Sequence, residues 1–255
     1  MKTIDVAMDT KETVNSQYIP IADAVIHCKI AGSENDPALI LLHGNSEDLQ
    51  IFDQQTGYFS QYYRTIAIDT RGHGKSLRGT KPLNFHTFAA DLIETLDALK
   101  IDKANIIGFS DGAIIALHTA LAAPKRISAM VLLGANYNSK GILLKYRFSI
   151  WLIYLWLSVA SPFSAKMRKR KEIWKLMINQ PCLTIEEISQ ITIPTLVATG
   201  ENDMVSQRQN DEICAAIKDS QRLIISGGNH FWLFKQPEIF NDYVMKFLKN
   251  NRLDE

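Results

Sequence analysis

Residues 104–122 read ANIIGFSDGAIIALHTALA and contain the pentapeptide Gly-Phe-Ser-Asp-Gly at positions 108–112. The apolar run before the pentapeptide predicts a strand, and the run after it predicts a helix. The pattern G-x-S-x-G between a strand and a helix is typical of a nucleophile elbow, a sharp turn that lifts a serine hydroxyl clear of the backbone. Gly108 and Gly112 leave room for such a turn. Ser110 is therefore a candidate nucleophile, and a Gly-Ser turn without chemistry is the alternative.

Short apolar runs recur along the chain, and each ends at a glycine or a polar residue. They are rich in β-branched residues and almost continuously apolar, as expected for strands that are covered on both faces. Helical patterns separate them, which predicts an α/β fold with a mainly parallel sheet and helices on both faces. The predicted strands are 38–42, 65–68, 105–107, 129–133, 195–198 and 223–225, with an early pair between residues 18 and 30; predicted helices include 88–99, 206–218 and 237–249.

The alternation of strands and helices stops between residues 136 and 191. That segment is helical, aromatic and basic in character, and the predicted strand at 195–198 then resumes the sheet. We expect residues 1–135 and 192–255 to form one α/β core, with residues 136–191 inserted after the strand at 129–133. Because ligands bind beyond the carboxyl ends of parallel strands, the insertion is placed to cover a site at that edge.

Two further polar residues follow predicted strands at the same edge of the sheet. Asp203 ends the sequence GEND, and His230 ends the sequence GGNH. A serine hydroxyl is a weak nucleophile at neutral pH and needs an adjacent base, most often a histidine that a carboxylate orients. We therefore expect Ser110, Asp203 and His230 to form a catalytic triad in the chain order that this type of elbow requires. Glu201 is the alternative acid.

The early strand at 38–42 ends in His-Gly-Asn-Ser at positions 43–46. We expect the backbone N–H of Asn45 to act with that of Asp111, which follows the nucleophile, as an oxyanion hole. His43 is interpreted as structural. The side chain of Asp111 lies in the first turn of a predicted helix, where the helix dipole favours a carboxylate. Attraction of a substrate cation is the alternative role that we favour less.

Composition limits the partners that the chain is expected to have. The 255 residues include 28 basic and 27 acidic ones, a balance that does not suggest binding to nucleic acid. The three cysteines, Cys28, Cys182 and Cys214, are widely spaced, and residues 1–10 lack the apolar core of a signal peptide, so we expect reduced thiols and a cytoplasmic protein. We expect no metal and no cofactor, because paired cysteines and H-E-x-x-H are absent, and Asp69 stands where a phosphate loop requires glycine.

Residues 140–175 carry nine basic residues and one acidic residue, a net charge of +8 that leaves −7 for the rest of the chain. The same segment contains the apolar stretch 148–160, which is shorter than the about 20 residues of a membrane span. We interpret it as a buried or pocket-lining helix; a helix on a membrane surface is the alternative that we favour less. The expected substrate contacts are Trp151, Tyr154, Leu155 and Trp156. The oligomeric state is not predicted.

Together, these motifs resemble those of the α/β-hydrolase superfamily over nearly the whole chain. They are HGNS at 43–46, DTRGHGKS at 69–76, GFSDG at 108–112, GEND at 200–203 and GGNH at 227–230. The resemblance implies an eight-stranded, mostly parallel sheet with a helical cap after the sixth strand. It also implies Ser110 as nucleophile, His230 as base and Asp203 as orienting acid, with a mainly structural role for residues 69–76. Serine at the nucleophile position disfavours dehalogenase and epoxide hydrolase activity.

These observations predict a serine hydrolase that cleaves an ester or a related acyl bond of a small, apolar substrate through an acyl-enzyme. Hydrolysis of a carboxylic ester is the leading interpretation. Hydrolysis of a carbon–carbon bond by the same triad is one alternative. A ligand-binding protein that keeps the fold but turns over little is the other.

Overall fold

The computed structural model describes residues 14–251 and contains an eight-stranded sheet. The strands are β1 (Asn15–Pro20), β2 (Val25–Ala31), β3 (Ala38–Leu42), β4 (Arg64–Ile68), β5 (Ala104–Phe109), β6 (Ile127–Leu133), β7 (Thr195–Asn202) and β8 (Ser220–Asn229). Their order in the sheet is β1-β2-β4-β3-β5-β6-β7-β8. β2 pairs antiparallel with β1 and β4, and the remaining pairings are parallel. The expected α/β fold is confirmed. The early pair of strands, β1 and β2, is antiparallel and lies at one edge of the sheet.

Helices cover both faces of this sheet. They are α1 (Asp53–Phe59), α2 (Phe85–Ala98), α3 (Asp111–Ala122), α4 (Leu144–Ala160), α5 (Ala165–Asn179), α6 (Ile185–Ile188), α7 (Gln207–Ala216), α8 (Trp232–Lys235) and α9 (Pro237–Asn250). The expectation that residues 1–10 lack a signal-peptide core falls outside the described part of the chain.

The core is divided by the sheet because successive side chains of a strand point to opposite faces. On β3, Ile40 and Leu42 pack into a cluster with residues of α2, α3 and α7. Leu39 and Leu41 belong to a second cluster, with residues of α1, α8 and α9 on the other face. All four side chains are almost completely buried. This explains why the sequence of β3 is apolar without interruption.

Between β6 and β7 the chain forms α4, α5 and α6 and adds no strand to the sheet. The stretch 148–160 is helical as expected, but the expectation that it is buried is wrong for most of its side chains. Ile150 and Leu157 are the buried residues of α4, whereas Trp151 and Trp156 are 51% and 58% exposed. The rest of the described chain covers only one side of this helix. Within residues 14–251, no helix is both long and apolar enough to cross a membrane.

The loop of residues 69–76 is held by buried polar contacts. The carboxylate of Asp69 accepts hydrogen bonds from the backbone N–H groups of Leu49 and Lys75, both at 2.8 Å, and lies 2.7 Å from Nδ1 of His27. Two residues further on, Arg71 is fully buried. These contacts fit the structural role expected for this loop.

Arg71 provides a test of that role. Its Nε and Nη2 each donate to the carboxylate of Asp91 at 2.6 Å. The Arg71→Met variant would leave a buried carboxylate without its partner, so we expect the free energy of unfolding to fall by about 3–5 kcal/mol in urea denaturation. The matched control is Lys246→Met, which breaks an exposed ion pair with Asp242 and should change stability little. Equal, small effects of both substitutions would contradict this account.

Candidate active site

Ser110 occupies the turn between β5 and α3 with φ 53° and ψ −114°, a conformation uncommon for a residue other than glycine. Its N–H donates to the carbonyl oxygen of Leu133 at 2.8 Å. The two flanking glycines are required by close packing. A Cβ on Gly112 would lie 2.1 Å from the carbonyl oxygen of Leu42, and one on Gly108 would lie 2.4 Å from the carbonyl oxygen of Gly112. The turn therefore has the geometry that the pentapeptide predicts.

His230 and Asp203 follow the ends of β8 and β7 and form a hydrogen-bonded pair. Nδ1 of His230 lies 2.7 Å from Oδ1 of Asp203, and both side chains are buried. The same oxygen of Asp203 accepts the N–H of Val205 at 2.9 Å, which fixes the carboxylate. Glu201, the alternative acid, is exposed and accepts the N–H of Gly227 at 2.7 Å instead. The structure thus pairs His230 with Asp203 and not with Glu201.

A cavity of about 190 Å³ lies at the carboxyl ends of the strands, and both Ser110 and His230 line it. Much of its surface is apolar. The ring of Phe109 packs 4.8 Å from the His230 ring, centroid to centroid, and holds the imidazole on one side. Trp174 and Met177 of α5 also line the cavity. A serine, a histidine paired to a carboxylate, and an apolar cavity therefore meet in one place.

The loop after β3 also reaches the cavity. Asn45 and Asp111 both line it, and within residues 14–251 neither backbone N–H donates to an acceptor. The side-chain amide of Asn45 donates to the carboxylate of Asp111 at 3.0 Å and to the carbonyl oxygen of Ile173 at 3.1 Å. Asn45 therefore joins this loop to the elbow and to α5, and leaves two N–H donors beside the serine.

His43 lies behind this loop and is not part of the cavity lining. Nδ1 is 2.7 Å from the carbonyl oxygen of Gly44, and Nε2 accepts the N–H of Thr70 at 3.0 Å. Burial lowers the pKa of His43, so the neutral ring is favoured. Both ring nitrogens are occupied, which fits the structural interpretation.

The residues of α4 expected to contact substrate are placed elsewhere. Trp151, Leu155 and Trp156 are exposed, and the ring of Tyr154 lies under Nζ of Lys171 at 5.8 Å. None of the four lines the cavity, and Ile150 is the α4 residue that does. The prediction of these four substrate contacts is therefore wrong. A uniformly apolar helix gives no sequence signal for the side that faces the body of the protein.

Two groups of lining residues were missed by sequence reasoning. In α5, Trp174 and Met177 line the cavity and are three residues apart. They lie beside Ile173 and Leu176, the buried residues of this helix. This apolar stripe at helical spacing could have indicated an inward face, but the basic residues before it obscured the pattern. Glu47 was also missed, although a carboxylate three residues after Gly44 is a visible signal.

Glu47 and Asp111 add two carboxyl groups to the cavity. Glu47 accepts the N–H of Gly44 at 3.0 Å, and burial raises its pKa to about 7. Burial also raises the pKa of Asp111 to about 6, opposed by the hydrogen bond from Asn45. Within the described residues, no group of three or more His, Cys, Asp or Glu side chains is arranged to hold a metal ion.

The pKa of Glu47 predicts a pH-dependent stability. Because this pKa lies near 7 in the folded state against an ordinary 4.5, the contribution of Glu47 to the stability of the wild type is lost as pH rises from 4.5 through 7. Glu47→Gln retains an oxygen for the N–H of Gly44 and has no charge to bury. We therefore expect its free energy of unfolding to rise relative to wild type across this window, by up to roughly 3 kcal/mol.

Urea denaturation on both sides of the window measures this difference. Glu201→Gln is the control, because its carboxylate is exposed and hydrogen bonds lower its pKa; it should show no such gain. A difference between Glu47→Gln and wild type that does not change with pH would show that burial of charge at this position is not the cause.

With this geometry established, comparison with known proteins identifies the family. A family model described as the alpha/beta hydrolase fold matches residues 37–172, more than half of the chain. The protein belongs to the α/β-hydrolase fold family.

Individual relatives extend the similarity along the chain. The chain is 26% identical to epoxide hydrolase 4 of Mus musculus, over 91% of this chain and 79% of the relative. It is 23% identical to the uncharacterized carboxylesterase nap of Bacillus subtilis strain 168, over 91% of this chain and 86% of the relative. The solved structure of a meta-cleavage product hydrolase from Pseudomonas fluorescens IP01 superposes with a TM-score of 0.75 at 22% sequence identity. The superposition covers 93% of this chain and 98% of that chain. All three are hydrolases by name, and the substrates that their names indicate differ.

Proposed function

We propose that this protein hydrolyses a carboxylic ester, or a related acyl bond, through a covalent intermediate on Ser110. One observation carries the proposal: the elbow serine and the His230–Asp203 pair line or adjoin the same cavity. Serine hydroxyls need such a base to attack a carbonyl carbon at neutral pH. Similarity to a carboxylesterase over most of the chain agrees with this chemistry.

The contact between His230 and Asp203 decides which ring nitrogen of the histidine can act as the base. Nδ1 of His230 is bound to Asp203, so Nε2 is the ring nitrogen left to take the proton of Ser110. The attack gives a tetrahedral oxyanion, which the N–H groups of Asn45 and Asp111 stabilise. The imidazolium then protonates the leaving alcohol. Water, deprotonated by His230, releases the acyl group and restores the serine.

We further propose that residues 136–191 act as a cap and limit the size of the substrate. Ile150, Trp174 and Met177 of this segment line the cavity. Its volume of about 190 Å³ is below the roughly 300–1,000 Å³ of common ligand pockets. A small, apolar acyl group is the substrate that fits, and the chemistry requires no cofactor.

A cytoplasmic location is proposed as well. The three cysteines, Cys28, Cys182 and Cys214, are all free thiols, as is usual for proteins of a reducing compartment.

The test of the proposal is turnover of nitrophenyl esters from acetate to long-chain acyl by wild type and Ser110→Ala. We expect wild-type activity to be highest on the shortest chains, because the cavity is small. Ser110→Ala should lower turnover by up to ~10⁶, since it removes the nucleophile.

A matched control tests whether a serine next to another His–Asp pair also contributes to turnover. The hydroxyl of Ser16 lies 2.8 Å from Nε2 of His27, whose Nδ1 is 2.7 Å from Asp69. Ser16 lies on the edge strand β1 and does not line the cavity, so Ser16→Ala should retain turnover. Full activity of Ser110→Ala would contradict the proposal. Absence of turnover on every ester would favour carbon–carbon bond hydrolysis or a ligand-binding role.

A further inference from the structure

The helical hairpin made of α4 and α5 leaves one apolar face uncovered. Its exposed side chains follow one another at intervals of three or four residues, so they lie along one side of α4. They are Leu144, Phe148, Trp151, Leu155 and Val159, which are between 47% and 77% exposed. Ile150 and Leu157, by contrast, face the body of the protein. Single exposed apolar residues are ordinary, but a continuous apolar face marks an interaction surface.

The turn between the two helices extends this face. Phe163, between α4 and α5, is 87% exposed. The first residues of α5 lie beside it, because the guanidinium of Arg168 donates to the carbonyl oxygen of Ser161 at 3.3 Å. Further along, Nζ of Lys171 sits over the ring of Tyr154 on α4. The start of α5 therefore adjoins the end of the apolar face through the turn at Phe163. We call the exposed apolar residues of α4, Phe163 and the first seven residues of α5 the hairpin face.

The start of α5 is strongly basic. Five cations occupy its first seven residues: Lys166, Arg168, Lys169, Arg170 and Lys171. Within residues 14–251, none has a carboxylate partner within 4.0 Å. The acidic residue of this region, Glu172, is paired with Arg78 outside the hairpin. The positive charge of the hairpin face is therefore not neutralised by the described residues.

The position of these cations is itself unfavourable. A helix carries partial positive charge at its N-terminus, so cations in the first turns are repelled by the helix dipole and by one another. No acidic residue occupies the first turn of α5 to offset this. An anionic surface against the start of α5 would relieve both repulsions. A partner that binds the hairpin face is therefore expected to be negatively charged.

The chemistry of the hairpin face decides between partners. A second copy of the chain would bring two basic segments together, which like-charge repulsion opposes. An interfacial membrane helix combines Trp, Phe and Leu on one face with Lys and Arg beside it. We propose that the hairpin face docks on an anionic lipid surface. The apolar side chains enter the boundary between headgroups and acyl chains, and the cations of α5 bind the headgroups.

Docking in this way would place the cavity close to the lipid. The buried side of the same hairpin supplies Ile150, Trp174 and Met177 to the cavity lining. An apolar ester dissolved in the interface would then have a short path to Ser110. This consequence rests on the proposed hydrolase function, whereas the docking itself does not.

Flotation with lipid vesicles tests the docking. Wild type and Ser110→Ala are mixed with vesicles of phosphatidylcholine alone or of phosphatidylcholine with phosphatidylserine, at low and at high salt. We expect both proteins to float with the anionic vesicles, and less so at high salt because salt screens the attraction. Flotation of Ser110→Ala separates this result from the fate of the hydrolase proposal.

Two variants divide the hairpin face into its charged and apolar parts. Replacing Lys166, Lys169 and Arg170 by Gln should weaken partitioning about a hundred-fold at low salt, at roughly tenfold or less per cation. Replacing Trp151 and Leu155 by Ser should also weaken it, by removing the inserted side chains. The matched controls should bind as wild type: Lys103, Lys125 and Lys218 changed to Gln for the charges, and Ile239 and Tyr243, exposed on α9, changed to Ser for the apolar pair.

Three outcomes would overturn the proposal. One is failure of the wild type to float with anionic vesicles. Another is equal loss of flotation in the hairpin variants and the matched controls, which would show dependence on total charge or apolarity alone. The third combines two results: no binding to vesicles, and a dimer in analytical ultracentrifugation that the Trp151 and Leu155 substitutions abolish. It would identify a second copy of the chain as the partner of the hairpin face. Circular dichroism melting of each variant confirms that it is folded.

Discussion

The close approach of α3 to β3 at Gly112 is the constraint on which the site depends. The backbone at this position comes so near the carbonyl oxygen of Leu42 that a Cβ would lie 2.1 Å from it. This contact sets the start of α3 directly beside the end of β3. It brings Ser110 and the N–H of Asp111 next to the loop that carries Asn45. The positive φ of Ser110 is the local conformational cost of this arrangement.

The remainder of the candidate site is built from strand ends around that elbow. Asp203 and His230 follow adjacent parallel strands, β7 and β8, so a carboxylate and an imidazole separated by 27 residues meet at 2.7 Å. Parallel strands place their carboxyl ends at one edge, and this is why polar residues distant in sequence converge there. The hairpin of α4 and α5 lies over the same edge and contributes to the cavity with one side only.

Sequence reasoning succeeded where local pattern and topology agree. The pentapeptide predicts the elbow because only glycine leaves enough space at its two flanking positions. The apolar run of β3 predicts a buried strand because both of its faces are covered. It failed for α4, because an almost uniformly apolar helix has no hydrophobic periodicity. Its sequence does not distinguish the buried side, which carries Ile150, from the exposed side, which carries Trp151. The choice between Asp203 and Glu201 also required coordinates, since the two lie two residues apart at the end of β7. The pKa of Glu47 depends on burial by segments remote in sequence.

The central claim is that Ser110 is the nucleophile activated by the His230–Asp203 pair. The most direct measurement is the rate and position of covalent labelling by a fluorophosphonate, followed by mass spectrometry of wild type, Asp203→Asn and Glu201→Gln. The account predicts a single adduct on Ser110, formed about 10⁴-fold more slowly in Asp203→Asn and at an unchanged rate in Glu201→Gln. An adduct on another residue, or no adduct in the folded wild type, would contradict it.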